Sequence, residues 1–457
     1  MNSTRLNCCI CAAAVVFSTI LTFAAFSQEY LAVSFVVVVA CSTGLFAILN
    51  RLDVVLVLTL TSALVQPTIV SVTGNRQALL ATNIAVVMAG LVSLFRGSWQ
   101  HRRLRSVLAL AALALLAIPR STSLSVGALQ GRQVLLPLLL MLVGSSASLA
   151  EWKRIKAGAV WVSALAALYV GVELIVGRPL TDALVYANSS ANNVFSYNGL
   201  PGYYYYYYSS NAPPLLRAGG PLLSPTTSGL LIASGVVLVR TNSSAKTLLA
   251  QLSLTAAAAA TLSRGALLII GSTLLIPRLS RITGRKLALM LAGVGALYVA
   301  RILLTHGGSA AHSHGLAAAL GLAISHPAGQ GFGHFGDLAV QRGTATEGES
   351  LFGLLLAAGG IPILIGLALL VRLALSRVLG HNQAGTTEAA FLGLLLAAFL
   401  SETAGALSGT IALWLIGGRV LAASDTILDL KTYGTSLSRS RKAMGIPYRT
   451  KAIPAAR

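Results

Sequence analysis

Runs of fifteen or more mostly apolar residues recur along nearly the whole of this 457-residue chain, separated by short polar stretches. A helix needs about 20 such residues to cross a bilayer, or fewer where flanking side chains reach the interface. Spans fall near residues 7–26, 30–49, 53–73, 78–95, 105–119, 133–150 and 156–176, then near 222–239, 245–262, 265–280, 285–304, 350–376, 385–401 and 405–424. The first run is followed at once by a second and lacks a small-residue cleavage site, so it reads as a retained helix rather than a signal peptide. The expectation is an all-α integral membrane protein: a polytopic bundle of about 14 (12–14) transmembrane helices over residues 1–424. A basic tail over 425–457 is expected to be cytoplasmic and poorly ordered. Hydrophobic residues make up 55% of the chain and charged ones 10%, against roughly a quarter charged in soluble domains. A soluble enzyme is excluded on that ratio. Four cysteines, Cys8, Cys9, Cys11 and Cys41, lie in apolar stretches with no further ligand at metal spacing, and read as small buried apolar residues.

The few charges are lopsided, with 33 Lys and Arg against 12 Asp and Glu, a net +21. In a soluble chain such an excess would point to nucleic acid. Sorting the cations by membrane face gives a different answer. With both termini cytoplasmic, twenty-four of them lie inside and eight outside, with Arg419 left in the last span. That asymmetry is what the positive-inside rule requires. The basic balance therefore orients helices and attracts anionic membrane lipids, and no nucleic-acid partner is needed.

Two long segments, about 177–221 and 305–349, break the rhythm of short loops, and both fall on the outer face. Arg217 precedes the eighth span, and Arg264 sits in a tight outer turn, Thr261-Leu262-Ser263-Arg264-Gly265. A guanidinium stays charged at any working pH and presents a rigid fork matched to phosphate oxygens. Two of them on one face can hold a lipid-linked diphosphate; the plainer reading is that each caps a helix end or snorkels. The 305–349 segment carries His306, His312, His314, His326, His334, Asp337, Glu347 and Glu349, of which a His or a partly desolvated Glu suits general-base work on a hydroxyl. His312-Ser313-His314 lacks the further ligands of a metal site, so no metal or other cofactor is expected. The glycine-rich stretch Gly329 to His334 lacks the context of a nucleotide loop and is rejected as one. Tyr203 to Tyr208 read either as a stacking platform for sugar rings or as an interfacial aromatic belt. Glu173, near the outer end of the seventh span, is the most unusual intramembrane acid, with Glu402 at an outer turn.

Three pieces of this outer face resemble the O-antigen ligase and O-antigen polymerase-like family of bacterial envelopes. They are Arg217-Ala218-Gly219 through Pro225, Ser263-Arg264-Gly265-Ala266, and the stretch from Ser309 through Ser325-His326-Pro327, Glu349-Ser350-Leu351-Phe352 and Gly359-Gly360 to Ile361. Together they span about residues 214–365. The resemblance implies a membrane glycosyltransferase that uses an undecaprenyl diphosphate-linked glycan as donor and a glycan or glycolipid as acceptor, on the outer face of the plasma membrane. It implies that Arg217 and Arg264 bind the diphosphate. Glu349 stands where the ligases carry a histidine, followed by the fitting Ser350 and Gly360, whereas Ile363 departs from the pattern. The base implied at this site is then a carboxylate, with His314 as its competitor, and a polymerase-like or divergent member is favoured over a lipid A ligase. The alternative is a lipid-linked oligosaccharide flippase or polysaccharide transporter, which predicts helices broken at mid-membrane and a duplicated architecture. A non-catalytic scaffold leaves the paired outer arginines unexplained.

Overall fold

A serine ahead of an apolar run sets where several of these helices begin. The computed structural model describes residues 28–73, 75–96, 104–178, 180, 196–197, 200–201, 206–209, 212–239, 245–283, 293, 310–336, 350–380 and 385–422. In chain order its helices are α1 (Gln28–Ile48), α2 (Leu52–Thr73), α3 (Leu80–Phe95), α4 (Arg105–Ala117), α5 (Leu124–Ser146), α6 (Leu149–Val176), α7 (Pro225–Leu238), α8 (Ala245–Ala260), α9 (Arg264–Thr283), α10 (Ala310–Ser325), α11 (Leu351–Gly380), α12 (Thr386–Leu400) and α13 (Leu407–Ala422). Between α6 and α7 lie two short antiparallel hairpins. One pairs β1 (Ser196–Tyr197) with β2 (Leu200–Pro201), and the other pairs β3 (Tyr206–Ser209) with β4 (Ala212–Leu216).

Six segments among the described residues are long and apolar enough to cross a membrane: Leu31–Ile48, Leu52–Thr73, Gln77–Phe95, Leu124–Ser146, Leu149–Val176 and Leu351–Val378. The protein is thus a helical, multi-pass membrane protein by length and composition. Helices α7, α12 and α13 are apolar but shorter. Most expected spans coincide with a helix; 7–26, nearly all of 285–304 and the tail 425–457 lie outside the described residues.

Three expectations need correction. The span placed at 133–150 begins at Leu124 and ends at Ser146, because Ser123 accepts a hydrogen bond from Val126 N (3.4 Å) and starts the helix early. Gln130 and Arg132, which read as loop, therefore lie inside α5. The segment 305–349 is not one long loop: its alanine-rich stretch forms α10, and residues 326–336 form an ordered turn structure. Cys41 also departs from expectation, since it is exposed on the surface of α1.

Helix α6 fixes the two ends of the bundle. It starts in a capping box, with Glu151 N donating to Ser148 Oγ (3.3 Å) and Ser148 N to Glu151 Oε2 (2.9 Å). Arg96, at the end of α3, joins Glu151 (2.9 Å) to Asn50 Oδ1 (2.7 Å) in the α1–α2 turn. Nearby, buried Asp53 takes ion pairs from Arg51 and Arg154. At its other end α6 stops on Gly177, whose φ of 72° is the left-handed cap that glycine supplies without a Cβ penalty. In the bundle centre α5 and α13 approach closely at small residues. A Cβ on Gly144 would collide with the Leu415 carbonyl, and one on Gly418 with that of Met141. Trp414 is buried in the same contact and donates through its indole nitrogen to Ala404 O (2.9 Å). Thirteen of the fourteen residues of α7 are buried, Thr226 being the exception, so the helix that follows Arg217 is a core element.

Candidate functional site

At the Gly177 end of α6, Glu173 is 1% exposed and its carboxylate accepts from Gly220 N (2.8 Å) and Leu180 N (3.2 Å). A buried carboxylate requires donors, and here the chain supplies them from the strap that leads into α7. Gly220 (φ 63°) turns the strap; a Cβ there would strike Ser228, whose hydroxyl already donates to Gly219 O (2.6 Å). Ser224 then caps α7, accepting from Thr227 N (3.3 Å). Glu173 is thus a structural anchor for the strap carrying Arg217. Glu173→Ala leaves these N–H groups without their acceptor, at about 1–3 kcal/mol each, so the melting midpoint of purified protein should fall by several degrees. An unchanged midpoint would mean that other contacts hold the strap.

The turn bearing Arg264 is bonded to that strap. Ala218 N donates to Ala260 O (3.4 Å), and Ser263 Oγ donates to Thr226 O (3.1 Å) while accepting from Ala266 N (3.3 Å), so one serine both caps α9 and ties it to α7. Leu223 and Leu262 hold φ of 54° and 51°, a region that leucine rarely adopts, one in each of the two turns. Strain of this kind persists only where surrounding structure enforces it, and it clusters at functional sites. The sequence-predicted pair is therefore brought together at the backbone level. Arg217 is half-buried, and Arg264 is exposed as the first residue of α9. Two helix N-termini, with their positive ends and free N–H groups, open at this place. The tyrosine run contributes β3, which pairs Tyr206 with Leu216 and so delivers the aromatic strand beside Arg217.

The N-terminus of α11 reaches the same face. Buried Ser350 caps it, accepting from Gly353 N (2.9 Å) and donating to Ala398 O of α12 (3.4 Å). A one-turn helix at Glu402–Gly405 sits between, with Gly405 against Leu351 and Gln133, and Gly409 just beyond it against Thr227 of α7. The backbone therefore runs through packed contacts from Ser350 to Thr226 and on to Ser263. Glu349 lies outside the described residues. His314 belongs to α10, and its side chain is likewise outside them, as is that of Glu402.

The sequence reading missed how the glycine-rich stretch is used. Helix α11 is broken at Gly360 (φ 64°, ψ −146°), and Pro362 has no N–H to return. The carbonyls of Ala357 and Ala358 would have no helical donor. They accept instead from Gln330 N (3.2 Å) and Gly331 N (3.0 Å), while Ile361 N donates to Pro327 O (2.9 Å). Residues 327–331 thus replace the missing helical bonds, as a membrane interior demands. Buried Gln130 of α5 locks the other side, accepting from Gly333 N (2.7 Å) and donating to Phe335 O (3.1 Å). Arg120 donates to Ala328 O (2.7 Å), and exposed His326 has the Gln330 amide nitrogen 2.9 Å from its Nδ1. The signal in the sequence was Gly359-Gly360-Ile361-Pro362 within an apolar run; Gln130, which falls in the loop before the expected 133–150 span, gave none.

Among the described residues no three His, Cys, Asp or Glu side chains lie close enough to hold a metal ion. Chemically, the face offers phosphate-binding groups at Arg217, Arg264 and two helix starts, beside a folded glycine turn. No family model matches this chain, and no curated protein or solved structure is significantly similar to it.

Proposed function

We propose that this chain is a membrane glycosyltransferase of the O-antigen ligase or polymerase type, with about 14 spans and cytoplasmic termini. It would transfer a glycan from undecaprenyl diphosphate to an acceptor hydroxyl of a glycan or glycolipid, on the outer face of a bacterial plasma membrane. The observation that supports this most is the bonding of the Arg217 strap to the Arg264 turn at the paired starts of α7 and α9. In the reaction the bond from the anomeric carbon to the diphosphate oxygen breaks, and a bond to the acceptor oxygen forms from the opposite side, inverting the sugar. The leaving undecaprenyl diphosphate carries away the electron pair as negative charge. Arg217 and Arg264 stabilise that charge more in the transition state than in the ground state. The acceptor proton goes to Glu349, which precedes the α11 cap, or to His314.

One observation favours the transporter reading. Gly360 lies nine residues into α11, about 14 Å along a helix that must cover about 30 Å, so the break falls near mid-depth. Discontinuous helices at that depth are what transporters use to build ion and substrate sites. Here the freed carbonyls are already bonded to residues 330 and 331, which leaves them unavailable to a cation in this conformation. Purified protein in detergent separates the two readings. The transferase should consume lipid diphosphate-linked glycan and release free undecaprenyl diphosphate. A protein that acts only across sealed vesicles, with no turnover in detergent, is a transporter.

A further inference from the structure

The turn that replaces the missing bonds of α11 carries polar side chains at a depth where a bilayer has no water. Ile361 N donates to Pro327 O, and Gly331 N to Ala358 O. These two contacts lie about 15 Å and about 11 Å along α11 from Leu351. Arg120 sits at the same level. A Cβ on Gly331 would strike the Arg120 carbonyl, and the Arg120 guanidinium donates to Ala328 O (2.7 Å), between the two contacts. The arginine therefore does not snorkel out to the interface. Helix α4, which leads to it, agrees with this depth: thirteen residues from Arg105 cover about 20 Å, short of the roughly 30 Å of a bilayer core. Gly329 N donates to His326 O (2.8 Å), closing a tight turn over Pro327 and Ala328. Arg120 thus grips the same turn that His326 opens and Gln330 follows. The His326 ring has the Gln330 amide nitrogen 2.9 and 3.0 Å from its two nitrogens, and Ser325 Oγ 3.0 Å from Nδ1. Arg120, Ser325 and His326 are all exposed.

Lipid tails cannot solvate a guanidinium, an imidazole or an amide, so exposed groups at this depth need water or a polar ligand around them. They also need a counter-charge. No Asp or Glu occurs in α4, α5, α10 or α11, in residues 118–123 or in residues 326–336. Among the described residues no ion pair reaches Arg120, and of its five N–H donors one is given to the Ala328 carbonyl. We propose that Arg120, His326 and Gln330 form a hydrated site, open at the protein surface within the membrane, that binds a phosphate-bearing anion. The guanidinium fork matches phosphate oxygens, and the His326 and Gln330 side chains supply N–H donors beside it. The phosphate belongs either to a lipid headgroup that enters sideways or to a soluble ion; the recognition chemistry is the same. The site is built on α4, α5 and residues 326–330, which carry neither Arg217 nor Arg264, and it stands whether or not the proposed transfer reaction is correct.

The test is thiol labelling of the purified full chain in nanodiscs of phosphatidylcholine. Ser325→Cys, in a chain whose four native cysteines are replaced by alanine, puts a reporter beside His326 and leaves Arg120 in place. Leu116→Cys is the reference, exposed on α4 one turn before Arg120. A membrane-impermeant maleimide should label Ser325→Cys faster than Leu116→Cys by about tenfold or more, because only water carries the reagent. Inorganic phosphate, or phosphatidylglycerol in place of part of the phosphatidylcholine, should slow the Ser325→Cys reaction about fivefold by occupying the site. Protection by the first identifies a soluble source, and protection by the second a lipid headgroup. Arg120→Gln should keep the fast labelling and lose the protection. His326→Ala leaves the backbone bonds of the turn intact and should at least halve the protection; it carries the test if Arg120→Gln does not fold. The proposal fails if Ser325→Cys reacts no faster than Leu116→Cys, since lipid then fills the site. It also fails if neither phosphate source slows labelling, if sodium chloride at matched ionic strength protects as well, or if protection survives both substitutions.

Discussion

Gly360→Ala is expected to leave little or no folded protein. The residue has φ 64° and ψ −146°, a region open essentially to glycine alone. A Cβ there would run into the Pro327 carbonyl and Gly329 N, which are backbone atoms and cannot swing aside. Relieving that collision means withdrawing residues 327–331, and with them three backbone hydrogen bonds to α11. Strain of about 1–3 kcal/mol plus roughly 1 kcal/mol for each lost bond brings the cost to around 5 kcal/mol, comparable with the total stability of many domains. Within a bilayer the orphaned carbonyls raise it further. The readout is the monodisperse peak in size-exclusion chromatography of detergent-solubilised protein. Gly271→Ala is the control, since nothing lies within 4 Å of a Cβ at that helical position, and it should be neutral or stabilising by up to about 1 kcal/mol. A Gly360→Ala protein that elutes and melts like wild type would mean that the turn is not keyed into the helix.

The multi-pass helical class is legible in the sequence because a bilayer imposes one requirement on every span, and hydropathy reports it directly. Most helix limits between residues 30 and 120 follow from the apolar runs. Hydropathy fails where a polar residue is buried for structural reasons. Gln130 looks like a loop residue, yet its amide holds Gly333 and Phe335 from inside α5. It fails again at Gly360, where an unbroken apolar run conceals a broken helix whose bonds come from residues thirty positions away. Glu173 stood out as an acid in an apolar span, but its partners, the N–H groups of Gly220 and Leu180, are backbone atoms that carry no residue signature. The pairing of Arg217 with Arg264 was expected from chemistry alone. Their juxtaposition depends on Ser263 serving two helices at once, which spacing cannot show.

Arg264→Ala should separate function from fold more sharply than any other change at the candidate site. Arg264 is exposed at the first position of α9, where the macrodipole places partial positive charge and disfavours a cation by about 0.3–1 kcal/mol. Its side chain makes no hydrogen bond or ion pair recorded among the described residues. Removing it therefore costs the fold nothing and should hold or slightly raise the melting midpoint. Arg217 is a poorer probe, being half-buried and already engaged within the protein. If the paired helix starts bind a diphosphate, loss of the Arg264 fork removes a donor aimed at the charge of the leaving group, a loss of about 10²–10³-fold in turnover. Arg264→Lys keeps the charge but not the bidentate geometry and should recover only part of it. The measurement is release of undecaprenyl diphosphate by purified variants, with the midpoint taken on the same samples. Wild-type turnover in Arg264→Ala would remove the diphosphate reading of this face. Lost turnover together with a lowered midpoint would make the arginine structural. On the proposed reading, a cation that opposes its own helix dipole and stabilises nothing around it serves an anion that arrives from outside, and an unchanged midpoint with lost turnover would be the signature of that arrangement.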